Sequence, residues 1–212
     1  LNNPTYKDIL FKIYDIKNKS LHNYQKLVLG NLTGTYVGVG SPEWSDDVCL
    51  YYPKDNLIIT ADFDNYINPL ANPNWQGPVG MFGETFINTP TTNKIASLNY
   101  FVPSGNITMS DDTQMWDRIK PGNYVWPGCA VYVDSVPYPI RGEDGDYLWG
   151  SEYFSINSGE TKRFVTAATF GYSKNEILLK MKYAEALYYS NFDTNAVVNS
   201  IALTSHAFHK IV

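Results

Sequence analysis

All twelve prolines of this 212-residue chain lie before residue 140, and the last 72 residues hold none. Proline fixes φ and removes a backbone donor, so each one ends or edges a regular element. The first two thirds is therefore cut into short pieces, and only the last third can carry long uninterrupted elements. All five tryptophans, Trp44, Trp75, Trp116, Trp126 and Trp149, fall in the punctuated part or at its border, each within a few positions of Pro, Gly or Asp. Large aromatics at turns on a rigid scaffold suit recognition better than catalysis.

Between the breakers the pattern is that of strands. Residues 94–102 alternate with period two and end at Pro103, and residues 162–170 are rich in Val, Thr and Phe and end at Gly171. Further strands are expected at 26–29, 33–39, 48–52, 57–62, 130–133, 153–156 and 197–203. Pro121-Gly122 and Pro127-Gly128 suit type II turns, and Asp144-Gly145 suits a hairpin joining 136–141 to 146–149. Residues 64–83 read as one long irregular stretch. Residues 4–16 fit either period. Residues 175–189 open on a capping box, Ser173 to Glu176, yet Ile177, Leu179, Met181 and Tyr183 alternate with lysines, which favours a strand. Phe101, Leu98, Phe164 and Val165 are expected core anchors. Phe164 and Val165 face opposite sides, so both are buried only if something covers the outer face.

The expected fold is all-β: a single-domain β-sandwich or jelly roll over residues 1–212, with long loops and at most one or two short helices. Its Pro-rich, loop-bearing part is 1–140 and its Pro-free scaffold part is 141–212. A hydrophobic fraction of 44% and an aromatic fraction of 15% support a packed core and exclude disorder.

Composition also narrows the partners. A net charge of −5, with only Arg118, Arg141 and Arg163 as arginines, argues against contact with nucleic acid. No apolar run is long enough to span a bilayer, so no membrane span is expected. Leu1 in place of Met reads as processing or trimming, so that any leader or basic arm would already be gone. The sequons at Asn18, Asn31 and Asn106 number about what chance spacing gives. Cys49 and Cys129 fit either one disulfide or two buried thiols.

No nucleophile elbow, zinc-protease motif or phosphate loop occurs, so no enzymatic activity is expected. His206 and His209 would share a metal only on a helix. The acidic residues Asp62, Asp64, Glu143, Asp144 and Asp146 are calcium candidates, although a solvated hairpin tip explains 143–146 equally well. Trp75, Trp116, Trp126 and Trp149, with Asp112 and Asp146 beside them, are candidate ligand-binding residues. Indoles stack on sugar rings, and carboxylates accept from sugar hydroxyls. No cofactor beyond such a calcium ion is implied.

Three functions follow. The first is a non-enzymatic structural subunit that self-assembles, as a viral or phage coat or appendage protein or an extracellular filament subunit. The second is a carbohydrate-binding or adhesive module with a surface glycan as partner. The third is a glycan-active enzyme. Either of the first two places the chain extracellularly or on a virion surface. The apolar segments 9–14 and 197–212 are the expected contacts of a homo-oligomer or polymer.

Overall fold

A computed structural model describes residues 6–34, 37–38, 45–63, 79–101, 111–125, 130–132, 142 and 144–197. The strands are β1 Ile9–Lys17, β2 Tyr24–Leu27, β3 Gly30–Gly34, β4 Asp47–Tyr52, β5 Leu57–Asp62, β6 Met81–Asn88, β7 Ser97–Phe101, β8 Tyr124–Val125, β9 Ala130–Tyr132, β10 Asp146–Gly150, β11 Phe154–Ile156 and β12 Thr161–Gly171. The helices are α1 Asp112–Ile119 and α2 Lys174–Tyr189, with one further helical turn at 194–197. Strand makes up 45% against 20% helix, so the all-β, sandwich-like expectation holds.

A six-stranded sheet runs β1-β12-β6-β5-β4-β9, and a four-stranded sheet runs β3-β10-β7-β8. A two-stranded sheet, β11-β2, completes the set. Between the two larger sheets lie Tyr51, Ile58, Phe86, Phe164, Leu98, Tyr100, Tyr147 and Trp149. The other face of the large sheet buries Val48, Leu50, Ile59, Val165 and Ala167 against Ile177, Met181 and Ala184 of α2. That second cover explains why β4 and β5 are buried at every position instead of alternating. It also explains Phe164 and Val165, both wholly buried on opposite faces as the sequence implied.

Helix α1 covers the outer face of the small sheet. Arg118 bonds Asn99 and lies 5.1 Å over the Phe101 ring. A Cβ on Gly150 would stand 2.7 Å from the Ile119 carbonyl, so only glycine lets α1 sit this close.

Several expectations need correction. Residues 174–189 are helix, not strand. Ser173 caps them by accepting from the Glu176 N–H at 3.2 Å, and Glu176 accepts from Tyr172 N–H at 2.8 Å. Ile177, Met181, Ala184 and Leu187 are the buried residues, a helical stripe, while Leu179 of the apparent alternation is exposed. Helix α1 was not foreseen at all. Its N-cap is Asp111, accepting from Gln114 N–H at 3.0 Å, with Asp112 in the first turn behind it. Strand β6 begins inside the stretch expected to be irregular. β10 pairs with β3 and β7, and residues 136–141 of the expected hairpin lie outside the described residues. Most of the strand expected at 197–203, and both C-terminal histidines, lie outside the described residues.

Candidate functional site

The two sheets are of unequal width, and the mismatch makes a groove. Among the described residues the small sheet stops at β3, while the large sheet continues beneath through β12 to β1. The β2–β11 pair covers one half of this overhang, where Phe154 meets Phe164 with ring centres 4.9 Å apart. The other half is an open cavity of about 760 Å3. Register fixes its floor. Phe170 pairs with Phe82, and Ala168 pairs with Glu84, all on the face turned toward the small sheet. The Phe170 and Phe82 rings lie 5.2 Å apart. Lys12 of β1 completes the floor, Thr33 of β3 stands at the wall, and Lys7, Asp8, Glu176 and Lys180 form one end.

Glu84 is the chemical centre of the groove, with only 1% of its surface exposed. An ionised carboxylate so placed costs several kcal/mol unless donors surround it. The Thr33 hydroxyl donates to Oε2 at 2.7 Å and the Tyr147 hydroxyl to the same oxygen at 3.0 Å. Lys12 Nζ stands 3.4 Å from Oε1. Trp149 Nε1 donates to the Thr33 oxygen at 3.2 Å, and Thr60 donates to the Tyr147 oxygen at 3.4 Å. Two hydroxyl relays thus converge on one carboxylate from both sheets. Burial and the adjacent Glu84 charge hold the Tyr147 phenol well above its ordinary pKa, so it stays a donor. At the end of the groove Lys180 binds Asp8 at 3.0 Å and Glu176 at 2.8 Å, so one ammonium is shared by two carboxylates, and Lys7 brings a second positive charge to that end. The arrangement offers an aromatic floor, two ammonium groups and one carboxylate oxygen, Oε1, held only by a long ion pair.

A second polar cluster lies where β4 and β5 end. Asp47 pairs with Asp62 across the two strands, and both are buried. Asp47 Oδ2 accepts from Val37 N–H at 3.1 Å, while its Oδ1 has no hydrogen-bond partner. Burial, reinforced by Asp62, Asp46 and Asp144, pushes Asp47 up to about 8.

The residues singled out in the sequence do not meet in one place. Trp149 was expected at a binding surface, but it is wholly buried against Phe86 and spends its N–H on Thr33, so it has no face for a ligand. Trp116 is 41% exposed on α1, tilted over Tyr153 with ring centres 6.2 Å apart. Asp112 sits one turn earlier on the same helix face. Asp146 lies against Gly34, and burial and Asp144 raise its pKa. Among the described residues no group of three or more acids, histidines or cysteines is arranged to hold a metal, so Asp62, Asp144 and Asp146 form no calcium cage there. Cys49 is buried in β4 opposite Ala130 of β9. Trp75, Trp126, Asp64, Glu143 and Cys129 lie outside the described residues. Lys12, Thr33, Glu84 and Tyr147 went unremarked in the sequence. The one signal was a lone glutamate within the apolar run Met81–Asn88.

No protein-family model matches the chain, and neither a curated protein nor a solved structure does. No helix among the described residues is long and apolar enough to cross a membrane.

Proposed function

We propose that this chain is a non-enzymatic structural subunit that assembles with copies of itself, at an extracellular or virion surface. One observation carries the reading. β1 is a nine-residue edge strand, unpaired on its outer side among the described residues, and Leu10, Ile13 and Tyr14 on it are 55%, 46% and 39% exposed. A monomer would blunt such an edge with charge. Here two of the strand's three charges are engaged, and the third, Lys17, stands at its last position. Lys12 turns in to Glu84, and Asp15 is held by Arg163 through two bonds of 2.7 Å.

Two copies of β1 related by a two-fold axis through Ile13 place Leu10 opposite the partner's Ile16 and Lys12 opposite the partner's Tyr14. No like charges are then opposed. Centring the axis on Lys12 would oppose two ammonium groups. Native mass spectrometry and light scattering at micromolar concentrations test the proposal. Wild type is expected to be oligomeric. Ile13→Lys is expected to weaken association at least about tenfold, with little change in melting temperature, because the side chain is half exposed. A wild-type protein that stays monomeric at high micromolar concentration overturns the reading. A monomer that binds glycans would instead favour the carbohydrate-binding module, for which the exposed Trp116–Tyr153 pair speaks.

A further inference from the structure

We propose that the groove between β3 and β1 is a binding site for a neutral saccharide. One sugar ring lies on Phe82 and Phe170, with a hydroxyl set between Lys12 and Glu84.

Charge is the first constraint. The described lining holds three ammonium groups, on Lys7, Lys12 and Lys180, and three carboxylates, on Asp8, Glu84 and Glu176. A ligand of either net charge meets as much repulsion as attraction there and gives up its hydration as well. An uncharged ligand gives up least. The cavity, about 760 Å3, has the size usual for small-molecule sites, roughly 300–1,000 Å3.

The Lys12–Glu84 pair narrows the chemistry to a hydroxyl. The Thr33 and Tyr147 hydroxyls both donate to Glu84 Oε2. Among the described residues Oε1 meets only Lys12 Nζ, at 3.4 Å, where a close charge-assisted bond is about 2.7–2.9 Å. A ligand carboxylate would face Oε1, and a ligand ammonium would face Nζ. A hydroxyl donates and accepts through a single oxygen, so one hydroxyl gives its proton to Oε1 and accepts from Nζ. The carboxylate is already fixed for this. Trp149 holds Thr33, and Thr60 holds Tyr147, so little ordering remains to be done on binding.

The rings supply the rest of the match. Ala168 of β12 lies opposite Glu84, and Phe170, two residues on, lies opposite Phe82. The Phe170 carbonyl accepts from Lys180 at 2.6 Å. Along β12 the groove therefore runs from one polar pair, over two aromatic rings, to a second polar group of Lys180, Asp8 and Glu176. Phe170 is 57% exposed, so its ring is open to a ligand. A sugar ring has the complementary form, an apolar face of C–H groups with hydroxyls around the rim. A plain hydrocarbon chain would cover the rings but leave both polar ends without partners, which is costly.

The test uses the full chain and the methyl glycosides, both anomers, of glucose, galactose, mannose and N-acetylglucosamine, followed by amide chemical shifts. At least one is expected to reach half-saturation below about 20 mM, with the largest shifts at Lys12, Thr33, Phe82, Glu84 and Phe170. The Phe170→Ala variant should bind that sugar about tenfold more weakly or worse, with little change in melting temperature. The uronic-acid and amino-sugar counterparts of the binder should each bind about fivefold more weakly or worse. Among its monodeoxy analogues one should lose about tenfold, and Lys12→Met should erase the difference between that analogue and the parent. No saturation by any of these glycosides at about 100 mM overturns the proposal. Tighter binding of a charged counterpart, or undiminished binding by Phe170→Ala, overturns it too. So do shifts confined to Trp116 and Tyr153, since that exposed pair would then be the sugar site.

Discussion

Asp47 shows how far one residue's surroundings govern the behaviour of the molecule. An aspartate in an unfolded chain titrates near 3.9, and in this fold Asp47 is pushed up to about 8. A raised folded value means the native state holds the proton more tightly. The stability this gives is complete below about pH 4 and is lost as pH rises toward 8. Asp146, raised by burial and Asp144, acts in the same direction. Asp15, Glu160 and Glu176 are lowered by Arg163, Lys162 and Lys180, so their contributions vanish in acid instead. Asp47→Asn should therefore flatten the fall of stability between pH 4 and 8 and raise it at pH 8 by on the order of 1–3 kcal/mol. Urea denaturation at a series of pH values checks this, and an unchanged slope would show that Asp47 ionises freely in the fold. The sequence could mark Asp46-Asp47 as acidic, but not that β4 carries Asp47 inward opposite Asp62. Glu84 was hidden for the same reason. A single charge in a strand has no meaning until the opposite sheet supplies Thr33 and Tyr147.

At the scale of elements, the strands with two-residue alternation or Val-rich runs were legible, and the helices were not. The 174–189 segment carried two signals, a capping box and an alternating apolar pattern. The cap was the local truth. The alternation misled because α2 docks by a narrow stripe and leaves Leu179 in water. β6 was lost because Gly83 and Glu84 interrupt its apolar run, and each is there for a tertiary reason. A Cβ on Gly83 would stand 2.5 Å from Ile177 Cγ2. Gly83→Ala should thus push α2 off the sheet at a cost of about 1–3 kcal/mol. Ile177→Ala opens the same space at a cost of about 2–5 kcal/mol. The double variant should be more stable than the two losses added together, and a thermodynamic cycle measures that coupling. Strict additivity would mean that α2 does not press on Gly83.

For the whole molecule the decisive feature is that, among the described residues, β1 pairs only with β12. Ile9 lies opposite Thr169, and Lys17 opposite Thr161. Among the described residues β12 joins β1 to β6. Loop closure over such a distance must precede any gain from the contact, which makes topologies of this kind slow. In refolding followed by pulsed hydrogen exchange, amides of the β4–β5 hairpin should be protected first, and those of β1 no earlier than β12. Early protection of β1 would point to a different partner for that strand. The same pairing has a consequence in time. As the chain is synthesised, β1 is made well before its neighbour β12. Until β12 emerges β1 is a strand without a sheet, and in that interval the growing polypeptide is most open to joining another copy.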